Sequence, residues 1–413
     1  MRTDSSSMPD RKKEVKKLLL LVFLLAVALR LFTAIYYLNF DPHAQSVLDG
    51  KPFLGAGYST DEIIGDRDRY NNLAQSVSYY GTLAPVAGSE THPPLYPLFL
   101  SVFYMLFGYH VYSFLIPQIL LDSLNSILIF FLAQYLFVNR KISFISAFFY
   151  ACNPHFILTS IQLYSEALYF FLIIAVFLSF KELFLKYSMK NVVICGVFLS
   201  LAALCRTIFL AFIPFALAWF VYAFRFLKKK MLAGLAVLCA TIAFLFMPWL
   251  IRNYALFSKP VFSSDYSIVL AKSISLSDPD QAGRYLVNNR APVSHFIRWA
   301  LERPSRYLSA TKKRFSTFFF DAYPQGVSGR HQFIANIIFY LIFPLGYIGL
   351  LVEVWRRQKL PLLIFLFIAS TVFVHILTDI DGELRYRLPT EIFLGIFAWY
   401  GIMFLSYILR KEK

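Results

Sequence analysis

The sequence predicts an all-α polytopic membrane protein of about ten transmembrane helices with two large extracytoplasmic loops. Three observations lead there. The chain of 413 residues is 58% hydrophobic and 18% aromatic, with a mean hydropathy of +0.59, more apolar surface than a soluble domain carries. The apolar residues fall in runs close to the roughly twenty residues that cross a bilayer as a helix. The short connections between those runs are basic on one side of the membrane, as topology rules demand of the cytoplasmic side.

The apolar runs are 17–38, 112–137, 141–159, 163–186, 190–206, 208–225, 231–251, 332–354, 360–378 and 388–409. Arg11-Lys12-Lys13 and Lys16-Lys17 precede the first. That run is longer than a signal-peptide core and lacks a small-x-small cleavage site, so it is expected to stay as a first transmembrane helix. With the N-terminus inside, the inner segments are 1–16, Asn139 to Lys141, Lys186 to Lys190, Arg225 to Lys230, Arg356 to Lys359 and Arg410 to Lys413, and every one is basic. The division expected is a cytoplasmic tail at 1–16, a single membrane domain at 17–409 and a cytoplasmic tail at 410–413. No soluble domain is expected after 409. The run 93–108 begins well as a helix at Pro93-Pro94. Counting it as a span would put Asn139-Arg140-Lys141 outside, so it is read as a helix lying at the outer interface.

The two outer loops are roughly 39–111 and 252–331. The first sets seven Asp/Glu against three Lys/Arg, the second twelve Lys/Arg against five Asp/Glu. An acidic loop facing a basic one suits a site that needs both a carboxylate base and a clamp for phosphate. In the second loop, 293–318 reads as one membrane-surface helix, with Phe296, Trp299 and Tyr307 at helical spacing among arginines and lysines. The formal charge of +16 points to lipid headgroups and lipid phosphates as partners, not to nucleic acid. Cys152, Cys195, Cys205 and Cys239 all lie in apolar runs and read as small packing residues, not disulfides or a metal cluster.

Ionisable residues inside the bilayer are costly and are either paired or functional. Asp122 shares a helix face with Gln118 and Asn125, and Arg30 and Arg206 are the arginines within its reach. An ion pair from Asp122 to one of them is the structural reading, and contact to a lipid phosphate is the functional reading of Arg206.

The motifs begin in the first loop. Asp66-Arg67-Asp68-Arg69-Tyr70 leads into Asn71-Asn72-Leu73-Ala74, and Thr91-His92-Pro93-Pro94-Leu95 follows. Then come Pro154 and Ser165-Glu166, Leu204-Cys205-Arg206, Pro248-Trp249-Leu250-Ile251-Arg252-Asn253-Tyr254, and Glu383-Leu384-Arg385-Tyr386-Arg387-Leu388-Pro389. Taken alone each is modest: an Asp-Arg run is also a solvated loop, an acid at a helix start suits the dipole, and arginines near a membrane are ordinary. In this order and on one face they resemble the GT-C superfamily of membrane glycosyltransferases, most of all the protein O-mannosyltransferases and the bacterial aminoarabinose and lipopolysaccharide-core sugar transferases.

That resemblance implies an inverting transfer of a sugar from a polyprenyl-phosphate-linked donor to a lipid, glycan or protein acceptor outside the cytoplasm; with no retention signal or eukaryotic-style extension in the sequence, a bacterial cytoplasmic membrane is the compartment expected. Asp66, four residues before Tyr70, matches the family's catalytic base, with Asp68 as the second choice. Where some members carry Glu next, this chain has Arg67. Glu166 matches an acid that lines the cavity and is grouped with the catalytic residues, as an acid that supports them or positions the acceptor, and Arg206, Arg252, Arg385, Arg387 and Tyr386 are the set implied for the donor phosphate. Some relatives bind a divalent metal near Glu90 and His92; with so few ligands, a helix cap and rim is the competing reading of those two. No Walker motif, His-Glu-x-x-His or Gly-x-Ser-x-Gly occurs. Two other classes stay open: a lipid or glycan transporter, which would show short loops and repeated halves, and a non-catalytic subunit that keeps the fold and tolerates loss of Asp66.

Overall fold

The computed structural model describes residues 8–40, 66–83, 92–258, 261–263, 265–286, 292–320, 329–378 and 384–411. Within these residues every regular element is helical. The chain runs through α1 (Met8–Phe40), α2 (Asp66–Tyr80), α3 (Leu95–Phe107), α4 (Val111–Phe137), α5 (Arg140–Cys152), α6 (Pro154–Ser160), α7 (Glu166–Leu185) and α8 (Met189–Cys205). A 3-10 turn (Thr207–Phe212) feeds α9 (Ile213–Phe224), and α10 (Lys228–Phe257) follows. The second loop holds α11 (Asp265–Ser277), α12 (Ala282–Tyr285), α13 (Val293–Glu302) and α14 (Pro304–Phe319). The chain ends in α15 (Gly329–Trp355), α16 (Lys359–Thr378) and α17 (Leu384–Lys411).

Each of the ten apolar runs lies mostly on helix, but they do not all qualify as straight spans. Among the described residues seven helices are long and apolar enough to cross a membrane, or eight if the bent pair α5 and α6 is one span. Helix α8 and the Phe339–Trp355 part of α15 are apolar but shorter. The run expected at 141–159 is bent by 53°. The cause is local. Pro154 has no N–H to continue α5 and biases Asn153 towards extended backbone, where it sits at φ −71°, ψ 121°. The Asn153 side chain then caps α6 by accepting from the His155 N–H at 2.9 Å. The tight turn between the runs 190–206 and 208–225 is a single extended residue, Arg206, at φ −143°, ψ 121°.

Helix α7 lies in the middle of the bundle, packed on α4 and α8. It is apolar all round, as an interior helix must be, and Tyr169, Phe170, Ile173, Val176, Phe177 and Phe180 are buried. At the rim, α10 turns Phe244, Met247 and Ile251 outward, the composition of a lipid-facing surface. Cys239 is exposed on this same helix, whereas Cys195 and Cys205 are buried as the sequence suggests.

Helices α15 and α17 meet at glycines. A Cβ added at Gly349 would strike the Phe397 carbonyl oxygen, and one added at Gly401 would strike that of Leu345. Small residues let two backbones approach this closely in a bilayer. Gly349→Ala is therefore expected to destabilise the protein by about 1–3 kcal/mol, seen as a lower Tm of the detergent-purified protein. An unchanged Tm would show that the seam is looser than these contacts.

The 293–318 segment differs from its sequence reading in two ways. It is two helices, because Pro304 ends α13 at Arg303, which takes φ −129°, ψ 55°. Its aromatic face is covered by protein: Phe296 and Trp299 are buried with Leu270, Ala271 and Ile274 of α11 and with Tyr285, and Tyr307 packs against them. The Trp299 indole donates to Asp278 at 3.3 Å.

Candidate active site

Intramembrane charge is paired. Arg30 and Asp122 are fully buried and 2.6 Å apart. Arg30 Nη1 also donates to the carbonyls of Ala26 at 3.1 Å and Ala151 at 3.0 Å. Tyr150 donates to the other carboxylate oxygen of Asp122. Asn125 reaches from Asp122 at 3.3 Å to the carbonyl of Ala167 at 3.3 Å. This network joins α1, α4 and α5 to the first turn of α7. Gln118, one turn before Asp122 on α4, donates to the carbonyls of Ser160 at 3.2 Å and Gln162 at 2.8 Å. The irregular link from α6 to α7 is fixed by a side chain of α4, and that link delivers Glu166.

Glu166 is buried and pairs with Arg206 Nη1 at 2.6 Å. The Arg206 guanidinium carbon lies 5.7 Å from the Tyr169 ring and 5.7 Å from the Tyr386 ring. Arg385 closes the same group, 5.1 Å from the Tyr386 ring and 4.7 Å from that of Tyr164. The His375 ring, near the end of α16, is 5.0 Å from Tyr386. Glu166, Arg206 and the Arg385-Tyr386 pair are far apart in sequence and meet at one end of the helices, beside the two loops.

The loops reach this point through aromatic residues. Tyr70 of α2 lies 3.5 Å from the Ser165 hydroxyl, and its ring packs on His92 at 4.7 Å and Tyr96 at 4.9 Å. Burial, then Tyr104 and Glu166, push the Tyr96 hydroxyl well above its ordinary pKa. It therefore stays protonated and donates to Gln118. From the second loop, Arg314 is buried, donating to the Leu377 carbonyl at 2.8 Å and to Ser273. It ties α11 and α14 to the end of α16, one turn from His375.

The sequence-derived residues thus divide. Asp66 is the first residue of α2 and Asp68 follows in the same turn; their side chains lie outside the described ones. Position 66 is one helical turn before Tyr70, hence on the same face of α2. Glu90 lies outside the described residues. His92 is buried against Tyr70 and is by itself too few donors for a divalent cation. Among the described residues no three His, Cys, Asp or Glu side chains come together as a metal set.

Two of the arginines grouped for phosphate have contacts of another kind. Arg252 donates to the Leu83 carbonyl and to Asn253 at 2.7 Å, with its guanidinium 4.8 Å from the Trp249 ring; it anchors the chain just after α2. Arg387 is fully buried, bonded to Glu391 at 2.7 Å and to Asn336 at 2.9 Å. Its donors are engaged within the protein, so its place is a strut between α17 and α15. Sequence reading missed Tyr169, Tyr164, Tyr96, His375 and Arg314. Tyr164 adjoins the Ser165-Glu166 motif; the others carried no signal beyond residue type.

The arrangement is that of a multi-pass membrane protein whose fold is similar to that of archaeal oligosaccharyltransferases. The family model described as dolichyl-phosphate-mannose-protein mannosyltransferase matches residues 91–252. Among solved structures, the oligosaccharyltransferase of Archaeoglobus fulgidus in the apo form is 16% identical, with a TM-score of 0.57 over 96% of this chain and 51% of its own. The archaeal oligosaccharyltransferase AglB from Archaeoglobus fulgidus, in complex with an inhibitory peptide and a dolichol-phosphate, is 15% identical, with a TM-score of 0.57 over 97% of this chain and 52% of its own. The chain spans about half the length of these proteins. ArnT from Cupriavidus metallidurans bound to undecaprenyl phosphate is 14% identical, with a TM-score of 0.49 over 91% of this chain and 59% of its own. No curated protein matches by sequence.

Proposed function

We propose that this protein is a glycosyltransferase that moves a sugar from a polyprenyl-phosphate carrier to an acceptor on the outer face of the membrane, with inversion at the anomeric carbon. The observation that carries the reading is the meeting of Arg206, Arg385 and Tyr386 beside Glu166, at the end of the bundle where α2 begins. Guanidinium groups grip phosphate oxygens with several donors at once. The dolichol-phosphate held by the archaeal oligosaccharyltransferase of the same fold supports a carrier of this chemistry.

In this reading the acceptor hydroxyl attacks the anomeric carbon from the face opposite the phosphate. The carbon–oxygen bond to the carrier breaks, and polyprenyl phosphate leaves with the bonding electrons. Asp66 takes the hydroxyl proton, with Asp68 the alternative base. Arg206, Arg385 and the Tyr386 hydroxyl bind the phosphate as its negative charge grows, which is where fixed donors lower a barrier most. Glu166 orients Arg206. The acceptor is a cell-envelope lipid, glycan or protein, and the compartment is a bacterial cytoplasmic membrane with both chain termini inside. A divalent metal near Glu90 and His92 belongs to the same proposal as an optional partner, without a step of its own.

The test is sugar transfer in membranes containing the protein, with a panel of radiolabelled polyprenyl-phosphate sugars. Labelled product from at least one donor supports the reading, and Arg385→Ala should then cut transfer at low donor concentration by roughly tenfold or more. No transfer from any donor would overturn it in favour of lipid translocation or a non-catalytic subunit.

A further inference from the structure

Two buried polar atoms next to Arg206 have no hydrogen-bond partner. Glu166 spends Oε1 on Arg206 Nη1 at 2.6 Å, while Oε2 is buried and unmatched. One helical turn along α7, the Tyr169 hydroxyl is also buried and unmatched. Orphaned buried groups are uncommon in folded proteins and ask for an explanation. Here two occur at i and i+3 on one helix face, with the Arg206 guanidinium 5.7 Å from the Tyr169 ring.

We propose that Glu166 Oε2 and the Tyr169 hydroxyl form the subsite for hydroxyl groups of the donor sugar, selecting a neutral or amino hexose over a uronic acid. The proposal rests on the reading of Arg206 as a donor-phosphate residue. The sugar is joined to that phosphate through one oxygen, so its ring hydroxyls lie within a few ångströms of whatever binds the phosphate. An ionised carboxylate oxygen only accepts, and a sugar hydroxyl or ammonium is the donor it lacks. The Tyr169 hydroxyl both donates and accepts, and completes the match to a second ring hydroxyl. A sugar carboxylate would instead face Glu166 as a like charge.

The test compares binding of four probes to purified protein in nanodiscs: polyprenyl phosphate alone, and its mannosyl, glucosaminyl and glucuronyl derivatives. Wild type should bind the mannosyl or glucosaminyl lipid roughly tenfold or more tighter than the bare phosphate, the weight of a hydrogen bond to a charged group, and the glucuronyl lipid no tighter. Tyr169→Phe should keep the bare-phosphate affinity and lose most of that increment. Its Tm should not fall, because the hydroxyl has no partner to lose. The proposal is overturned if neither hexosyl lipid outbinds bare phosphate, if the glucuronyl lipid binds best, or if the increment survives Tyr169→Phe. It is also overturned if Mg²⁺ or Mn²⁺ binds the lipid-free protein and Glu166→Gln removes that binding, since a cation would then be the occupant. Failure of bare polyprenyl phosphate to bind is a separate result, which removes the donor-phosphate reading itself.

Discussion

On the proposed function, Asp66→Asn is expected to abolish most of the sugar transfer while leaving the protein folded. The loss should be roughly a hundredfold to ten-thousandfold, the range a positioned general base contributes. Asn keeps the size and one acceptor oxygen of Asp but cannot take a proton. Position 66 opens α2, where a negative charge favours the helix dipole by about 0.3–1 kcal/mol, so the change in Tm should be small beside the change in rate. Measured at saturating donor and equal protein level, the rate should fall with little change in donor affinity, because in the proposed step a base meets the acceptor and not the carrier. Transfer that persists undiminished would move the base to Asp68 or Glu166. Loss of transfer together with donor binding would mean that Asp66 holds the carrier.

Much of this geometry could be read from residue types, and the remainder fails for identifiable reasons. The cost of charge in a bilayer made Asp122 and Arg30 conspicuous, and they pair as that cost requires. Gln118 and Asn125 stood out by sharing a face with Asp122, although their actual task, holding backbone carbonyls of the irregular α6–α7 link and of Ala167, depends on which helix packs on α4. The breaks at Pro154 and Pro304 were in plain view, yet both segments read as continuous because their apolar content outweighed a single proline. Arg387 looked like its neighbour Arg385 in a motif. One turn of helix faces it inward to Glu391, and that i, i+4 spacing could have been read. What one sequence cannot supply is adjacency between distant segments. Arg206 against Tyr386, or Tyr70 against Ser165, follows from the packing order of helices, which hydropathy does not encode. The side chains of Asp66 and Asp68 and all of Glu90 lie outside the described residues, so those readings still rest on motif alone.

Asp122→Ala will destabilise the protein by about 3–5 kcal/mol, the cost of leaving a buried charge without its counterion. Arg30 cannot relax: it is fully buried, its remaining donors bind carbonyls of Ala26 and Ala151, and no water is at hand in the bilayer core to replace Asp122. A buried pair is strongly favourable only against the loss of one partner. Against an apolar replacement of both it is close to neutral, because neither charge then pays for desolvation. Arg30→Met combined with Asp122→Leu should therefore recover most of the Tm that Asp122→Ala loses, and non-additivity of that size is the signature of a direct pair. Recovery of fold need not restore activity. Asp122 also accepts from Tyr150 and Asn125, and Asn125 in turn holds the Ala167 carbonyl, adjacent to Glu166. In the double variant Tyr150 and Asn125 lose that acceptor, so the first turn of α7 is less firmly fixed. The expected result is a double variant as stable as wild type to within about 1–2 kcal/mol but slower in transfer. Equal transfer by the two would confine the network to stability, and an unchanged Tm in Asp122→Ala would mean that Arg30 finds another partner.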